Sequence, residues 1–140
     1  MKKLLLPLLL AFCGRAFSQT TATDTANSPV ITFEKTNWTY PEIPFDSGFR
    51  KEFVFKNTGK SPLIISNAQT SCGCDDAMYP REPVMPEKTG IITYIYDTER
   101  VGAFTKSFTV TSNAKNGQIV IQVHGSVAAP PKEPEANAVK

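Results

Sequence analysis

The sequence predicts an all-β, immunoglobulin-like β-sandwich of about seven strands. Apolar and polar residues alternate almost throughout residues 30–127, and this period of two is typical of half-buried strands. Turn-forming residues interrupt the alternation every ~8–12 residues, as they do in small sandwiches. No part of this block shows the 3.6-residue period of an amphipathic helix.

The first predicted strands are short, and a longer aromatic strand follows them. Residues 30–35 and 38–40 predict two short strands. Residues 49–56 predict a third strand, whose core face carries Phe49, Phe53 and Phe55. The turn after it is predicted at Asn57-Thr58-Gly59, because Asn and Gly tolerate a positive φ.

The alternation continues through the second half of this block. Leu63 and Ile65 share the core face of the fourth predicted strand, and residues 90–96 and 104–112 predict two more. Asn116-Gly117 is a strong hairpin signal that leads into the last strand. The last two strands present an alternating core face, which consists of Phe104, Phe108, Val110, Ile119, Ile121 and Val123.

The strand at residues 90–96 carries apolar side chains on both faces. Ile91 and Ile95 lie on one face, and Ile92 lies with Tyr94 and Tyr96 on the other. One stripe must face the core, so the other is either covered by a chain end or available to a partner. Tyr94 and Tyr96 are the candidate residues of such a partner surface.

The N-terminus predicts an export signal at residues 1–18. A basic start precedes nine apolar residues, Leu4 to Phe12, and Ala16-Phe17-Ser18 is a small-x-small site that predicts cleavage between Ser18 and Gln19. Nine apolar residues are too few for a membrane span, which needs ~20. The alternative, a lipoprotein signal at Cys13, is disfavoured because the large Phe12 precedes that cysteine.

Charge and composition exclude several functional classes. The signal holds three of the 15 basic residues and none of the 13 acidic ones, which leaves 12 basic and 13 acidic residues and a net charge of −1. Such a surface lacks the excess of positive charge that binding to nucleic acid requires.

The chain is predicted to have three parts after the signal. Residues 19–29 are predicted as a disordered leader, residues 30–127 as the sandwich domain, and residues 128–140 as a disordered Pro-rich tail.

The chemically distinctive residues are Cys72 and Cys74, which flank Gly73. In an oxidising compartment two neighbouring thiols tend to pair, and the pair is then either a structural disulfide or a redox-active one. The third alternative is a Cu(I) site, because two thiolates suit that soft ion, with Met78 and Met85 as further candidate ligands. No zinc site is predicted, since His124 is the single histidine and zinc needs about four ligands.

Catalytic motifs are not evident in the sequence. It contains neither the Gly-x-Ser-x-Gly turn of a hydrolase nor a Gly-rich phosphate loop. The prediction is therefore a protein without catalytic residues and without a cofactor, Cu(I) being the alternative just described.

A series of landmarks resembles a known family. In order they are Phe53-x-Phe55-x-Asn57-Thr-Gly59, Pro62-Leu-x-Ile65, Ser71-Cys-Gly-Cys74, Gly102-x-Phe104 and Gly125-x-Val127. This series resembles the bacterial domain-of-unknown-function family 1573 over roughly residues 32–127. The resemblance implies export and an immunoglobulin-like domain similar in build to those of the major sperm protein and pilus-chaperone type, and it brings no activity.

Together these observations predict an exported, non-catalytic binding or structural module of a Gram-negative cell envelope, periplasmic or secreted. Its expected partner is an envelope protein or a glycan. The alternative is a periplasmic protein for thiol-redox or Cu(I) handling that uses Cys72 and Cys74.

Overall fold

The computed structural model describes residues 26–73 and 75–131. The predicted signal with its Ser18–Gln19 cleavage site, most of the leader, Cys74, and the tail beyond Pro131 lie outside the described residues. In the described part, no helix is long and apolar enough to cross a membrane.

Among the described residues, eight strands form two four-stranded sheets, which confirms the all-β sandwich. The strands are β1 (Ile31–Phe33), β2 (Asn37–Ile43), β3 (Arg50–Asn57), β4 (Ile65–Thr70), β5 (Asp76–Met78), β6 (Thr89–Ile95), β7 (Gly102–Ser112) and β8 (Gln118–Val127). The first sheet has the order β1-β3-β6-β5 and the second the order β2-β8-β7-β4. The strand that the sequence did not predict is β5, whose three residues include only one buried side chain, Ala77.

The core lies between the two sheets and is built from the predicted alternating side chains. Phe53 on β3 packs edge-on against Phe108 on β7, with ring centroids 5.2 Å apart. Tyr94 on β6 stacks on the same Phe108 ring at 5.5 Å. Trp38 on β2 meets Phe53 edge-on at 5.5 Å. Aromatic rings from both sheets therefore fill the middle of the sandwich, where such pairs add to the stabilisation from burial.

The structure buries the face of β6 that was predicted as a partner surface. Tyr94 and Tyr96 are 0% and 3% exposed, so the prediction that they form a partner surface is wrong. The large aromatic rings face the core because they bury more apolar area than the isoleucines opposite them. Ile91 is exposed, and it lies directly across from Val54 of β3, which is also exposed.

The chain changes sheets between β1 and β2. β1 pairs antiparallel with β3 only at residues 55–57 of β3, and the chain then crosses to the second sheet, where β2 runs parallel to β8. Within the described residues no strand pairs with residues 50–54 of β3 on the β1 side. On the opposite side of the sandwich, β4 and β5 are in contact and close the gap between the sheets.

The turn at residues 57–59 forms as predicted, but for another reason. Neither Asn57 nor Gly59 has a positive φ. Instead the Asn57 side chain is fully buried and holds several segments together. Gly59 is needed because a Cβ there would lie only 2.6 Å from the Cα of Pro29. The predicted hairpin is confirmed, with Gly117 at φ +46° between β7 and β8.

The domain begins slightly before the predicted boundary at residue 30. Pro29 is buried, and its carbonyl accepts a hydrogen bond of 2.9 Å from the Lys115 amide. The Ser28 carbonyl accepts one from the Lys60 amide. The end of the predicted leader therefore packs onto the sandwich.

Candidate functional site

The loop between β4 and β5 contains Cys72 and is fixed by short-range hydrogen bonds. The Thr70 hydroxyl donates to the Cys72 carbonyl at 2.7 Å and lies 3.2 Å from the Asp75 carbonyl. The Ser71 amide donates to the Ser107 carbonyl of β7 at 2.8 Å. These bonds hold the half-buried Cys72 against the middle of β7. Cys74 lies outside the described residues, so its pairing with Cys72 stays a prediction.

A lysine that the sequence analysis missed reaches this loop from the core side. Lys106 occupies an inward position of β7, midway between the buried Phe104 and Phe108. Its ammonium lies 3.2 Å from the Cys72 Sγ and 5.9 Å from the centre of the Tyr96 ring. The available signal was the period of two itself, since Lys106 is a charged residue at a position where the alternation predicts an apolar one.

A carboxylate borders the same sulfur. The Asp75 Oδ2 lies 3.4 Å from the Cys72 Sγ and accepts a hydrogen bond of 2.7 Å from the Tyr94 hydroxyl. The other oxygen, Oδ1, is buried without a hydrogen-bond partner among the described residues. Burial, followed by the nearby Asp75 carboxylate, raises the pKa of Tyr94 above 10.0. The same two causes raise the pKa of Tyr96, so both phenols are neutral hydrogen-bonding groups at neutral pH.

The candidate copper ligands are not brought together. The Met85 carbonyl accepts a hydrogen bond from the Lys88 amide, so Met85 lies near Thr89 at the start of β6. The loop that contains Cys72 instead leads into Asp76, which pairs with Ile95 at the end of β6. Six residues of β6 separate these two points, about 20 Å along a strand. Including Met85 in a site with Cys72 was therefore wrong. Met78 is 53% exposed on β5. No cluster of three or more His, Cys, Asp or Glu side chains occurs in the described part of the chain.

A second candidate site is a groove on the open side of the sandwich, between β2 and β3. Its volume is about 420 Å³, and residues 40–44 and 47–50 line it. Tyr40 and Phe49 form its aromatic wall, with ring centroids 5.1 Å apart, and Glu42 and Arg50 supply opposite charges at its rim. The Tyr40 hydroxyl is buried and has no hydrogen-bond partner in the described residues. Burial also raises the pKa of Tyr40 above its ordinary value.

In the part of the chain that the structure describes, no strand pairs with the groove-side edge of β3 at residues 50–54. The Tyr96 amide donates to the Phe49 carbonyl, and the Asn57 amide donates to the Lys88 carbonyl, so the odd-numbered residues of β3 direct their backbone groups toward β6. The even-numbered ones point the other way, as the bond from the Thr58 amide to the Val30 carbonyl shows. The backbone N–H and C=O groups of Arg50 and Glu52 therefore point to the side where the described residues provide no strand.

One family model matches the chain. Residues 31–127 match the model described as a protein of unknown function, DUF1573. None of the curated proteins compared with the chain is similar to it.

Several solved structures share the fold at low sequence identity. A protein of unknown function from Porphyromonas gingivalis W83 superposes with a TM-score of 0.64 and 16% identity, over 77% of this chain and 51% of that one. The human CEP192 ASH/PapD-like domain 7 gives 0.56 and 8%, over 94% and 100%, and the chaperone YadV gives 0.51 and 15%, over 79% and 55%. The chain thus spans about half of the P. gingivalis protein, and these likenesses show the fold alone.

Proposed function

The chain belongs to the DUF1573 family of proteins of unknown function, and on this premise we propose that it is an exported, non-catalytic binding module of the cell envelope. The observation that carries the proposal is the uncovered edge of β3 beside an apolar groove. In this proposal the partner is a protein, and one extended segment of it lies along residues 50–54 of β3.

The backbone supports an extended ligand. An exposed sheet edge pairs readily with a strand from another chain, and alternate side chains of that strand then enter neighbouring pockets. The even-numbered backbone groups of β3 supply the hydrogen bonds, and the groove beside Tyr40 and Phe49 supplies a pocket for an apolar side chain.

The Tyr40 hydroxyl is buried beneath the groove, so the Tyr40 ring is the part that a bound side chain would meet. A buried hydroxyl without a partner costs about 1–3 kcal/mol. Tyr40→Phe is therefore expected to raise the free energy of unfolding of the domain by about 1 kcal/mol.

The fold and the predicted export signal support a protein partner in the cell envelope. YadV, which shares the fold, is a chaperone, and a chaperone acts on other proteins. The predicted signal at residues 1–18 supports export. A glycan, the other partner class expected from the sequence, would need ring-stacking and hydroxyl contacts in place of backbone pairing.

Site-specific photo-crosslinking tests the proposal. A photoreactive residue replaces Ser47 at the exposed rim of the groove, and the control variant carries it at Gln122, exposed on the outer face of the second sheet. In envelope extract we expect the Ser47 variant to capture a distinct protein and the Gln122 variant not to. Capture of a glycan at Ser47, or equal patterns from both positions, would contradict the proposal.

A further inference from the structure

We propose that the Pro-rich segment after β8 docks in the β2–β3 groove of its own chain, with Pro131 and Pro134 against the aromatic wall of Tyr40 and Phe49, and that an envelope partner has to displace it. This inference concerns the regulation of the proposed binding site, and its competition step rests on the proposed function. The docking step involves one chain only, so it is testable without a partner.

The chain leaves the sandwich beside the groove. β8 ends at Val127, which pairs with Ile43 of β2, and the Ala128 amide donates a hydrogen bond of 2.8 Å to the Ile43 carbonyl. Ile43 and the neighbouring Pro44 line the groove. Residues 129–131 are exposed, so the segment that follows β8 begins at one end of the groove.

The distances are short enough for docking. Tyr40 precedes Ile43 by three residues, which corresponds to about 10 Å along β2. A polyproline II segment advances ~3.1 Å per residue, so Pro134 reaches up to about 19 Å from Ala128. After one change of direction beyond Ala128, the segment can therefore run back from Ile43 to Tyr40.

The aromatic wall suits proline side chains. Tyr40 and Phe49 are half-buried, and their rings meet at 70° with centroids 5.1 Å apart. Pro-rich segments bind aromatic-lined grooves in the polyproline II conformation, which is already ordered before binding. That helix has three residues per turn, so Pro131 and Pro134, three positions apart in the sequence, share the face that meets the rings.

Docking of this kind leaves the edge of β3 uncovered. Proline has no backbone N–H, so a segment that contains proline at every third position does not extend a sheet. The backbone groups of Arg50 and Glu52 therefore stay unpaired while the tail is docked. A partner strand adds those backbone hydrogen bonds to the apolar contact, and this difference allows it to displace the tail.

The charges of the groove and the tail are complementary. Glu42 and Arg50 lie among the lining residues, and the Lys51 ammonium lies 5.5 Å from the centre of the Tyr40 ring. The groove thus has two basic groups and one acidic group beside its aromatic wall, whereas residues 131–135 carry one basic and two acidic residues. Exposed pairs of this kind are weak, but they favour the tail over a basic segment.

The covalent tether makes a weak contact sufficient. A segment joined by a short linker acts at an effective concentration in the millimolar range, so docking with a dissociation constant of about 1 mM already fills the groove for much of the time. A partner then binds the free fraction only. Occupancy of the groove between about one half and nine tenths weakens its apparent affinity by about two- to tenfold.

Photo-crosslinking of the isolated, processed chain tests the docking step. With the photoreactive residue at Ser47, we expect a crosslink to residues 130–135 of the same molecule, identified by peptide mapping, with a yield that does not depend on protein concentration. The Gln122 variant should give no tail crosslink. Pro131→Ser with Pro134→Ser should lower the Ser47 yield by about two- to tenfold.

The matched control is Ala136→Ser with Ala138→Ser, which changes the same tail without removing a proline and should keep the wild-type yield. Equal tail crosslinks from Ser47 and Gln122, no tail crosslink at Ser47, or an unchanged yield after replacement of the prolines would overturn the proposal. A yield that rises with protein concentration would assign the groove to a second copy of the chain and would overturn it too.

Capture in envelope extract tests the competition step. Replacing the two prolines should raise the amount of partner protein captured through Ser47 by about two- to tenfold, and unchanged capture would overturn the competition. The two proposals fail separately. A tail crosslink at Ser47 without any captured envelope protein would contradict the binding function and still support docking of the tail.

Discussion

Among single residues, Asn57 does the most to connect the segments of the fold. Its Nδ2 donates to the carbonyls of Ser61 at 2.8 Å and Val84 at 2.9 Å. Its Oδ1 accepts from the Gly59 amide at 3.0 Å and lies 3.4 Å from the Val30 nitrogen. A single amide side chain thus joins the residue before β1, the turn after β3 and the segment before β6.

Asn57→Ala should lower the free energy of unfolding by about 3 kcal/mol. The substitution leaves buried backbone groups without partners, and each such group costs about 1–3 kcal/mol. Urea denaturation measures the change, and Asn67→Ala on the exposed face of β4 is the control, expected within about 0.5 kcal/mol of the wild type. A similar small effect at Asn57 would show that water replaces these bonds.

Because of Tyr94, the free energy of unfolding is expected to depend on pH in the alkaline range. Its pKa in the folded protein lies above the ordinary value of 10.0, chiefly because it is buried. Its stabilising contribution is therefore complete below about pH 10 and is lost as the pH rises further, because the phenol ionises in the unfolded chain and stays neutral in the folded one.

The free energy of unfolding of the wild type should fall more steeply above pH 10 than that of Tyr94→Phe. The expected difference in slope is about 1.4 kcal/mol per pH unit, the value for one proton. Urea titrations of both proteins at several pH values around 10 measure it. Parallel curves would mean that Tyr94 ionises as readily in the folded state as in the unfolded state.

At the scale of elements, the sequence predicted the long strands well, because their period of two reports burial directly. It failed on β6, where both faces are apolar and periodicity cannot say which one is buried. There the choice depends on the partner strands, since Tyr94 stacks on Phe108 of the opposite sheet. β5 was missed because three residues are too few to show alternation.

The two faces of β6 can be distinguished by neighbouring substitutions. Ile92 is 0% exposed and Ile91 is 45% exposed. Ile92→Ala should lower the free energy of unfolding by about 2–5 kcal/mol because it leaves a cavity, whereas Ile91→Thr should lower it by about 0.5 kcal/mol. Chemical denaturation compares the two variants, and comparable losses would place both stripes in the core.

The candidate sites depend on contacts that sequence patterns do not encode. Cys72 was a candidate because of its chemistry, but Lys106, which contacts its sulfur, and Tyr94, which donates to the adjacent Asp75, lie on β7 and β6, more than twenty residues away in the sequence from Cys72. The groove was not predicted at all. It exists because β1 leaves β3 early and crosses to the second sheet, and no residue in β3 itself signals that its edge is uncovered.

At the scale of the whole molecule, the sandwich is asymmetric. One side is closed by the contact between β4 and β5, and the other holds the groove between β2 and β3. The loop with Cys72 connects β4 to β5 on the closed side. A partner strand on the uncovered edge of β3 would therefore bind on the side away from the β4–β5 contact.

Residue-resolved amide hydrogen exchange of the processed chain tests the uncovered edge most directly. The amides of Arg50 and Glu52 should exchange rapidly, while those of Lys51 and Phe53, which face β6, should be protected. After addition of the protein captured through Ser47, the amides of Arg50 and Glu52 should become protected as well. Slow exchange at all four positions in the isolated chain, or protection by the partner only outside residues 50–54, would contradict a strand-binding edge on β3.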